Sequence, residues 1–168
     1  MIVGAPGSGK STLARALGER RGLPVHHVDL MHWLPGWVER PRAKKIPLAR
    51  AVEDREAWVF EGGLSATWDT RAARAHLIVW LDLPVALRLW RVAVVRRLQY
   101  ARGATRPDLP PGCPERLDPE FVRYILATRR RNRARLASLA AGPGAGKTMR
   151  LRSRRDVAAF LRAVPAAA

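Results

Sequence analysis

The first twelve residues decide the fold: Met1-Ile2-Val3-Gly4-Ala5-Pro6-Gly7-Ser8-Gly9-Lys10-Ser11-Thr12. A short apolar run leads into a glycine-rich turn, and after the turn apolar residues recur at helical spacing, at Leu13, Ala14 and Leu17. Because glycine adopts backbone dihedrals closed to other residues, such a turn can point successive N–H groups at one anion. The positive end of the following helix dipole faces the same point. The stretch therefore predicts a strand, an anion-binding loop and a helix.

The spacing of this loop matches the phosphate-binding pattern G-x-x-x-x-G-K-[ST] in the strand–loop–helix setting that the pattern requires. We expect residues 4–12 to bind the phosphates of ATP, with Lys10 reaching the β- and γ-phosphates and the Ser11 hydroxyl binding Mg²⁺. The alternative is a glycine turn that only caps a helix. The strand before Gly4 has about three residues where ~5 are usual, so either the strand is clipped or the chain starts farther upstream.

The composition favours one domain spanning residues 1–168, with a net charge of +17 carried mainly by arginine. This charge indicates anionic partners such as nucleotides, nucleic acid or a membrane surface, although a GC-rich genome also produces arginine excess. The single cysteine, Cys113, excludes an internal disulfide and suggests a reducing compartment. With no apolar run of 18 residues, and with an opening strand in place of a signal peptide, we expect a cytoplasmic protein without a membrane segment, either monomer or homodimer.

An aromatic stretch follows the second predicted strand, which covers residues 23–28 and ends at Asp29. A carboxylate at the end of a strand, followed by Trp33 and Trp37, is typical of a pocket for a flat or polyhydroxylated acceptor. The alternative is that the two tryptophans, four residues apart, pack in the core. For His26, His27 and His32 a structural role is favoured over metal ligation, because no companion ligands stand at suitable spacing.

Two carboxylates compete for the magnesium site. Glu61 closes the third predicted strand (57–60), and Asp82 closes the fourth (76–81). Either can supply the carboxylate that assists Ser11 at the metal. Their alternatives are a plain strand–turn junction for Glu61 and a helix cap before Pro84 for Asp82.

A helix predicted over residues 85–100 leads into a proline- and glycine-rich segment at about 101–117, which we interpret as a lid over the phosphates. Arg97 and Arg106 are its candidate catalytic residues, since arginines neutralise charge that develops on a transferred phosphoryl group. The alternative is a solvated loop. A long helix follows at 118–140, and its run Arg129–Arg135 either tracks a nucleic-acid backbone or, as is more usual, forms a solvated face.

The remaining pattern alternates strands and helices. We expect helices at 47–55 and from a Ser65 cap to residue 75, a last strand at 149–152, and a final helix through about 164 that opens with a capping box at Ser153 and Asp156. The run Ala141–Thr148 resembles a second phosphate loop, but it follows a helix and precedes a strand, so we interpret it as a flexible helix-to-strand connection. Five strands alternating with helices predict an α/β fold with a parallel sheet.

The whole chain resembles the small P-loop kinases related to adenylate and shikimate kinases, and more closely the bacterial group labelled "DNA topology modulation protein". The stretches that carry the resemblance are Gly4–Thr12, Asp29–Trp37, Glu61-Gly62-Gly63 with Arg71 downstream, Trp80–Pro84, Thr105–Pro107 and Cys113–Arg116. The resemblance implies a three-layer fold with sheet order 2-3-1-4-5, a donor site at the loop, an arginine-rich lid, and an acceptor site at Asp29, Trp33, Trp37 and Arg71. Adenylate kinases have aspartate where Glu61 stands, and their Gly-Phe-Pro-Arg run is absent here.

Three functions follow as hypotheses. The first is an ATP- and Mg²⁺-dependent phosphotransferase that acts on a small acceptor, possibly a nucleotide, with Asp29 orienting or deprotonating the acceptor. The second is an ATP-binding protein associated with nucleic acid, which the charge of +17 and the run Arg129–Arg135 indicate. The third is a regulatory nucleotide binder without chemistry.

Overall fold

The computed structural model of the chain describes residues 1–95, 98, 107–113 and 119–167. Numbered in chain order, its strands are β1 (Ile2–Gly4), β2 (Val25–His27), β3 (Trp33–Leu34), β4 (Val38–Glu39), β5 (Val59–Glu61), β6 (Ile78–Leu81) and β7 (Thr148–Leu151). Its helices are α1 (Lys10–Arg21), α2 (Val28–His32), α3 (Arg42–Glu53), α4 (Trp68–Arg74), α5 (Val85–Trp90), α6 (Pro119–Ala141) and α7 (Arg154–Ala163). A 3₁₀ turn at Ser65–Thr67 precedes α4, and a π-helical turn at Arg91–Val95 continues α5.

Five strands form one parallel sheet in the order β2-β5-β1-β6-β7. The predicted α/β class with an all-parallel sheet is therefore confirmed. The strand that opens the chain lies in the middle, with Ile2 in register with Glu61 on one side and Val79 on the other. All four residues of β6 are buried, as expected for a strand covered on both faces.

Helices pack on both faces of this sheet because side chains alternate along each strand. On one face Ile78 and Trp80 pack with residues of α4 and α6. On the other face Val79 and Leu81 pack with residues of α1 and α7. The carboxyl ends of the parallel strands consequently share one edge, where the loop after β1 also lies.

The stretch predicted as an aromatic loop has regular structure instead. Strand β2 ends at His27, one residue before the last residue of the predicted strand (23–28). Asp29 lies in the first turn of α2, where a negative charge interacts favourably with the helix dipole. Strands β3 and β4 then pair antiparallel around a turn at residues 35–37. Trp37 sits in this turn with a φ of 63°, which is uncommon for a non-glycine residue.

Two helix starts differ from the prediction. Helix α3 begins at Arg42 and contains Pro47, which the sequence placed at its start. The helix buries Ala49 and Val52 against the core, and this packing outweighs the local cost of proline. Ser65 does not cap a helix: it lies within the 3₁₀ turn, and neither that turn nor α4 has a side-chain cap.

Other predictions at the C-terminal end are confirmed. Residues 142–147 form turns between α6 and β7, so the second glycine-rich run is a helix-to-strand connection. The capping box is present: Ser153 Oγ accepts a hydrogen bond from the Asp156 N–H, and the Asp156 carboxylate accepts one from the Ser153 N–H. Within the described residues no helix has the length and apolar character needed to cross a membrane.

Candidate functional site

The loop between β1 and α1 has the backbone expected of an anion cradle. Gly7 and Gly9 have φ values of 76° and 89°, in the left-handed region. Gly9 is the N-cap of α1, which therefore begins at Lys10 with its amide dipoles directed at the loop. A Cβ atom at Gly9 would lie 2.9 Å from Nη1 of Arg91, the flexible end of that side chain, so the left-handed conformation rather than the space requires glycine there.

The side chains of the motif lie at the mouth of this loop. Lys10 folds back over it, with Nζ 3.4 Å from the Ala5 carbonyl oxygen. The Ser11 hydroxyl donates a hydrogen bond of 3.0 Å to Oε1 of Glu61. Thr12 is exposed. The loop lysine, the helix hydroxyl and a strand-end carboxylate are thus brought to one edge of the sheet.

Glu61 is a buried carboxylate, 2% exposed, at the end of β5. Its Oε1 atom accepts the Ser11 hydrogen bond and also lies 2.7 Å from Nδ1 of His27. His27 is itself buried, at the end of β2. From the sequence His27 was expected to have only a structural role; the signal that would have found its contact is its place opposite Glu61 at the ends of neighbouring strands.

Asp82 has a different set of partners. Its Oδ2 atom accepts hydrogen bonds from Nε and Nη2 of Arg150 and from Nε of Arg133, the Nε distances being 2.9 and 3.3 Å. Arg150 also lies over the Trp80 ring, 4.3 Å from its centroid. Among the described residues, the carboxylate that contacts Ser11 is Glu61, while Asp82 is held by two guanidinium groups.

Two arginines support the loop from the side of α5. Arg88 donates to the Pro6 carbonyl at 3.2 Å, and Arg91 donates to the Ser8 carbonyl at 2.8 Å. Burial lowers the pKa of both, and for Arg91 the nearby Arg154 contributes to the decrease. The sequence places them in the helix before the lid and gave no sign of a role at the site. Because the two guanidinium groups bind the carbonyl oxygens of the loop, the N–H groups of the same peptide units point away from the arginines.

The acceptor candidates Asp29, Trp33 and Trp37 lie in α2 and the β3–β4 hairpin, which follow β2 directly. The tryptophan rings contact each other edge to face, with centroids 5.4 Å apart and an interplanar angle of 79°. Trp33 and Trp37 are both half-buried, so the structure combines the two alternatives: the rings pack on one another and keep part of their surface open.

The side chain of Arg71, the fourth acceptor candidate, is enclosed in the protein. Its side chain is fully buried and donates to the carbonyls of Gly63 (2.7 Å) and Leu64 (3.3 Å) and to Oγ1 of Thr67 (2.9 Å). Burial lowers its pKa to about 10, which leaves it charged at neutral pH. Its place in the structure is that of an anchor for the turn after β5, because a guanidinium group presents several donors in a fixed geometry.

The catalytic candidates Arg97 and Arg106 lie outside the described residues. Of the segment interpreted as a lid, residues 107–113 are described, and they contact the hairpin. The Gly36 N–H donates to the Gly112 carbonyl at 3.1 Å, and the Trp37 N–H donates to Sγ of Cys113 at 3.4 Å. This segment and the aromatic hairpin are therefore joined near the candidate acceptor residues.

The comparisons with known proteins add no relative. The chain matches no protein-family model, and it matches no curated protein at significant similarity. The site is therefore interpreted from its own geometry.

Proposed function

We propose that this chain has the three-layer P-loop kinase fold and is an ATP- and Mg²⁺-dependent phosphotransferase acting on a small acceptor. The observation that carries the proposal is the contact of the Ser11 hydroxyl with Glu61 beside a loop whose glycines take left-handed dihedrals. The strand order β2-β5-β1-β6-β7 and the helices on both faces support the fold assignment.

The residues present fit a magnesium–nucleotide complex. Magnesium in such sites is bound by one or two oxygen ligands from protein, together with phosphate oxygens and water. Ser11 would be its direct ligand and Glu61 the carboxylate that holds the hydroxyl and the hydration shell. Bound there, the ion neutralises phosphate charge. Asp82 is not included, since its carboxylate is already neutralised by Arg150 and Arg133.

The contribution of the chain is mainly positioning and charge. The loop amides and the start of α1 bind phosphate oxygens, and the Lys10 ammonium group, now 3.4 Å from a loop carbonyl, is within the same cradle. On the acceptor side, Asp29 would orient or deprotonate a hydroxyl group, with the tryptophan pair beside it. Arg97 and Arg106 remain predictions for charge neutralisation. Such alignment lowers a barrier because reacting groups are held at near-attack distance.

The proposal is tested by the increase in Tm that ATP–Mg²⁺ causes in the wild type, in Lys10→Ala, and in the matched control Lys147→Ala. Lys147 stands in the second Gly-Lys-Thr run, where its Nζ atom lies 3.4 Å from the Ala73 carbonyl. ATP–Mg²⁺ at about 100 times its Kd stabilises a protein by ~2.7 kcal/mol, which for this size is a shift of roughly 5–11 °C in Tm. We expect the shift in wild type and Lys147→Ala and its loss in Lys10→Ala. No shift in any of the three proteins would refute the proposal.

The acceptor is then sought by the same thermal shift. With ATP–Mg²⁺ bound, a panel of nucleosides, nucleotides and polyhydroxylated compounds is added, and compounds that raise the Tm further are assayed for phosphoryl transfer. Asp29→Asn should retain nucleotide binding and lose turnover with the true acceptor. Retained turnover would remove Asp29 from the mechanism.

A second function, nucleic-acid binding, is supported by one observation on α6. Arg129, Arg130, Arg131 and Arg135 are exposed, and in the described part of the chain the acid that pairs with this run is Asp82, through Arg133. If the run binds duplex DNA, the logarithm of the affinity falls with the logarithm of the salt concentration by about 0.9 per phosphate neutralised. Replacing three of the exposed arginines by glutamine should reduce that slope by up to ~3, whereas an unchanged slope would reject the function.

A further inference from the structure

His27 faces Glu61 directly across two parallel strands, at the edge of the sheet where the phosphate-binding loop lies. The two residues are register partners at the ends of β2 and β5. The distance from Nδ1 of His27 to Oε1 of Glu61 is 2.7 Å, and the residues are 7% and 2% exposed. When the Glu61 carboxylate is ionised it has no proton to donate, and the imidazole then donates this hydrogen bond through Nδ1–H.

Both hydrogen bonds to Glu61 end on the same oxygen. Oε1 accepts from the Ser11 hydroxyl and from the His27 imidazole. No other hydrogen bond to this carboxylate comes from the residues that the structure describes. A carboxylate fixed by two donors on one oxygen cannot rotate freely about its last side-chain bond, so the direction of Oε2 is fixed as well.

We infer that His27 is a positioning residue for the magnesium site: its Nδ1–H holds the Glu61 carboxylate in the orientation that contacts Ser11. The inference rests on the proposed function and assigns to it a residue outside the phosphate-binding motif. Hydrogen bonds to metal-site ligands orient them, and loss of such a partner commonly weakens metal affinity 10–100-fold.

The backbone keeps the two strand ends close together. Gly62 has a φ of 121°, and a Cβ atom there would lie 2.6 Å from Cβ of Val28. The residues that follow His27 and Glu61 are therefore in contact, and glycine is required for that contact. The imidazole and the carboxylate cannot separate without moving this pair of turns.

The neighbouring histidine provides a matched control. His26 points to the other face of β2, where its ring meets Phe60 edge to face at 6.3 Å. It is the same residue type in the same strand, and it does not contact Glu61. A general effect of altering β2 should appear for both histidines, whereas a positioning effect should appear for His27 alone.

The experiment compares His27→Asn, His27→Gln and His26→Gln with the wild type by calorimetry. Asparagine places an amide N–H close to the position of Nδ1, and glutamine places it one carbon farther out, so only asparagine replaces the lost donor. ADP binding is measured in EDTA, and Mg²⁺ is then titrated into the ADP-saturated protein. We expect His27→Gln to lower the affinity for Mg²⁺ by about 10–100-fold with ADP affinity in EDTA unchanged. His27→Asn and His26→Gln should stay near the wild-type value.

The outcomes separate the inference from the function on which it rests. Wild-type protein that takes up no nucleotide overturns both. Wild-type uptake of ADP and Mg²⁺ with the same Mg²⁺ affinity in His27→Gln overturns the role of His27 alone, and so does an equal loss in His26→Gln. Should His27→Gln fail to fold, histidine ¹⁵N shifts of the wild type decide: a proton on Nδ1 of His27 supports the inference, and a proton on Nε2 alone overturns it.

Discussion

Replacing Arg71 by methionine should destabilise the protein by about 3–5 kcal/mol, the usual cost of removing one partner from a buried charge pair. The Glu53 carboxylate, 4.0 Å from Nε of Arg71 and 2% exposed, would lose its cation. Two short hydrogen bonds, to the Gly63 carbonyl at 2.7 Å and to Thr67 Oγ1 at 2.9 Å, would also be lost. At ~1.5–3 kcal/mol for each charge-assisted bond, they give a similar total.

The assay is urea unfolding followed by tryptophan fluorescence and far-UV circular dichroism. For a chain of this length the expected loss corresponds to a decrease of roughly 6–20 °C in Tm. Arg74→Met is the control: Arg74 lies on the same helix but is exposed, with one hydrogen bond of 3.3 Å to the Arg55 carbonyl. Exposed substitutions of this kind usually change stability by no more than ~0.5 kcal/mol.

The same variant separates the buried anchor from the acceptor contact that the sequence predicted. If Arg71 bound the acceptor, Arg71→Met would unfold at the wild-type urea concentration and lose only acceptor affinity. A measured destabilisation of no more than ~0.5 kcal/mol, the range of ordinary surface substitutions, would therefore refute the anchor role.

Gly9→Ala should cost ~1–3 kcal/mol, because alanine is strained at a φ of 89° and its Cβ would meet Arg91, and it should weaken ADP binding in calorimetry. Asp82→Asn should lower the free energy of unfolding by ~1–3 kcal/mol, measured by urea unfolding, because Arg150 loses its ionic partner. The affinity of the ADP-loaded protein for Mg²⁺ should stay at the wild-type value. Burial, and next the ammonium group of Lys45, lower the pKa of His32 below its usual value of 6.5. Protonation of His32 therefore favours the unfolded state, and the free energy of unfolding falls as the pH drops below 6.5. The loss of stability at low pH should be smaller in His32→Gln than in the wild type. Urea midpoints measured at several pH values test this expectation.

Each of these expectations has a control or a contrary result. Gly63→Ala is the control for Gly9→Ala, since Gly63 has no left-handed φ and a Cβ added there would meet no atom within 4 Å. Weaker Mg²⁺ binding in Asp82→Asn would return that carboxylate to the metal site. If stability falls with decreasing pH as steeply in His32→Gln as in the wild type, groups other than His32 are responsible for the pH dependence.

Local signals in the sequence were sufficient for the first part of the site. Glycine spacing and helical periodicity within residues 1–21 predicted the strand, the loop and the helix start, and all three are present. The capping box at Ser153 was predicted equally well, because its partners are three residues apart. These features depend on dihedral preferences and hydrogen bonds between near neighbours.

Contacts between positions far apart in the chain could not be predicted from the sequence. Whether Glu61 or Asp82 is the candidate carboxylate of the magnesium site depends on two such contacts. The Ser11 hydroxyl lies 50 positions from Glu61 in the sequence, and the Arg150 guanidinium group lies 68 positions from Asp82. An arginine in a short helix gives no sign that it will be buried, so the resemblance placed Arg71 at the acceptor site and the sequence did not predict its enclosure. The β3–β4 hairpin has only two residues in each strand, too few for a periodicity to be recognised.

The central place of β1 has a consequence for how the protein is made. Its neighbours in the sheet include Glu61 and Val79, which the ribosome adds long after Ile2. At ~5–20 residues per second, the opening strand waits roughly 4–15 s before both flanks exist. During synthesis the glycine loop therefore lacks strand β6 beside it for these seconds, and the site that we propose for nucleotide is complete only after β6 has been made.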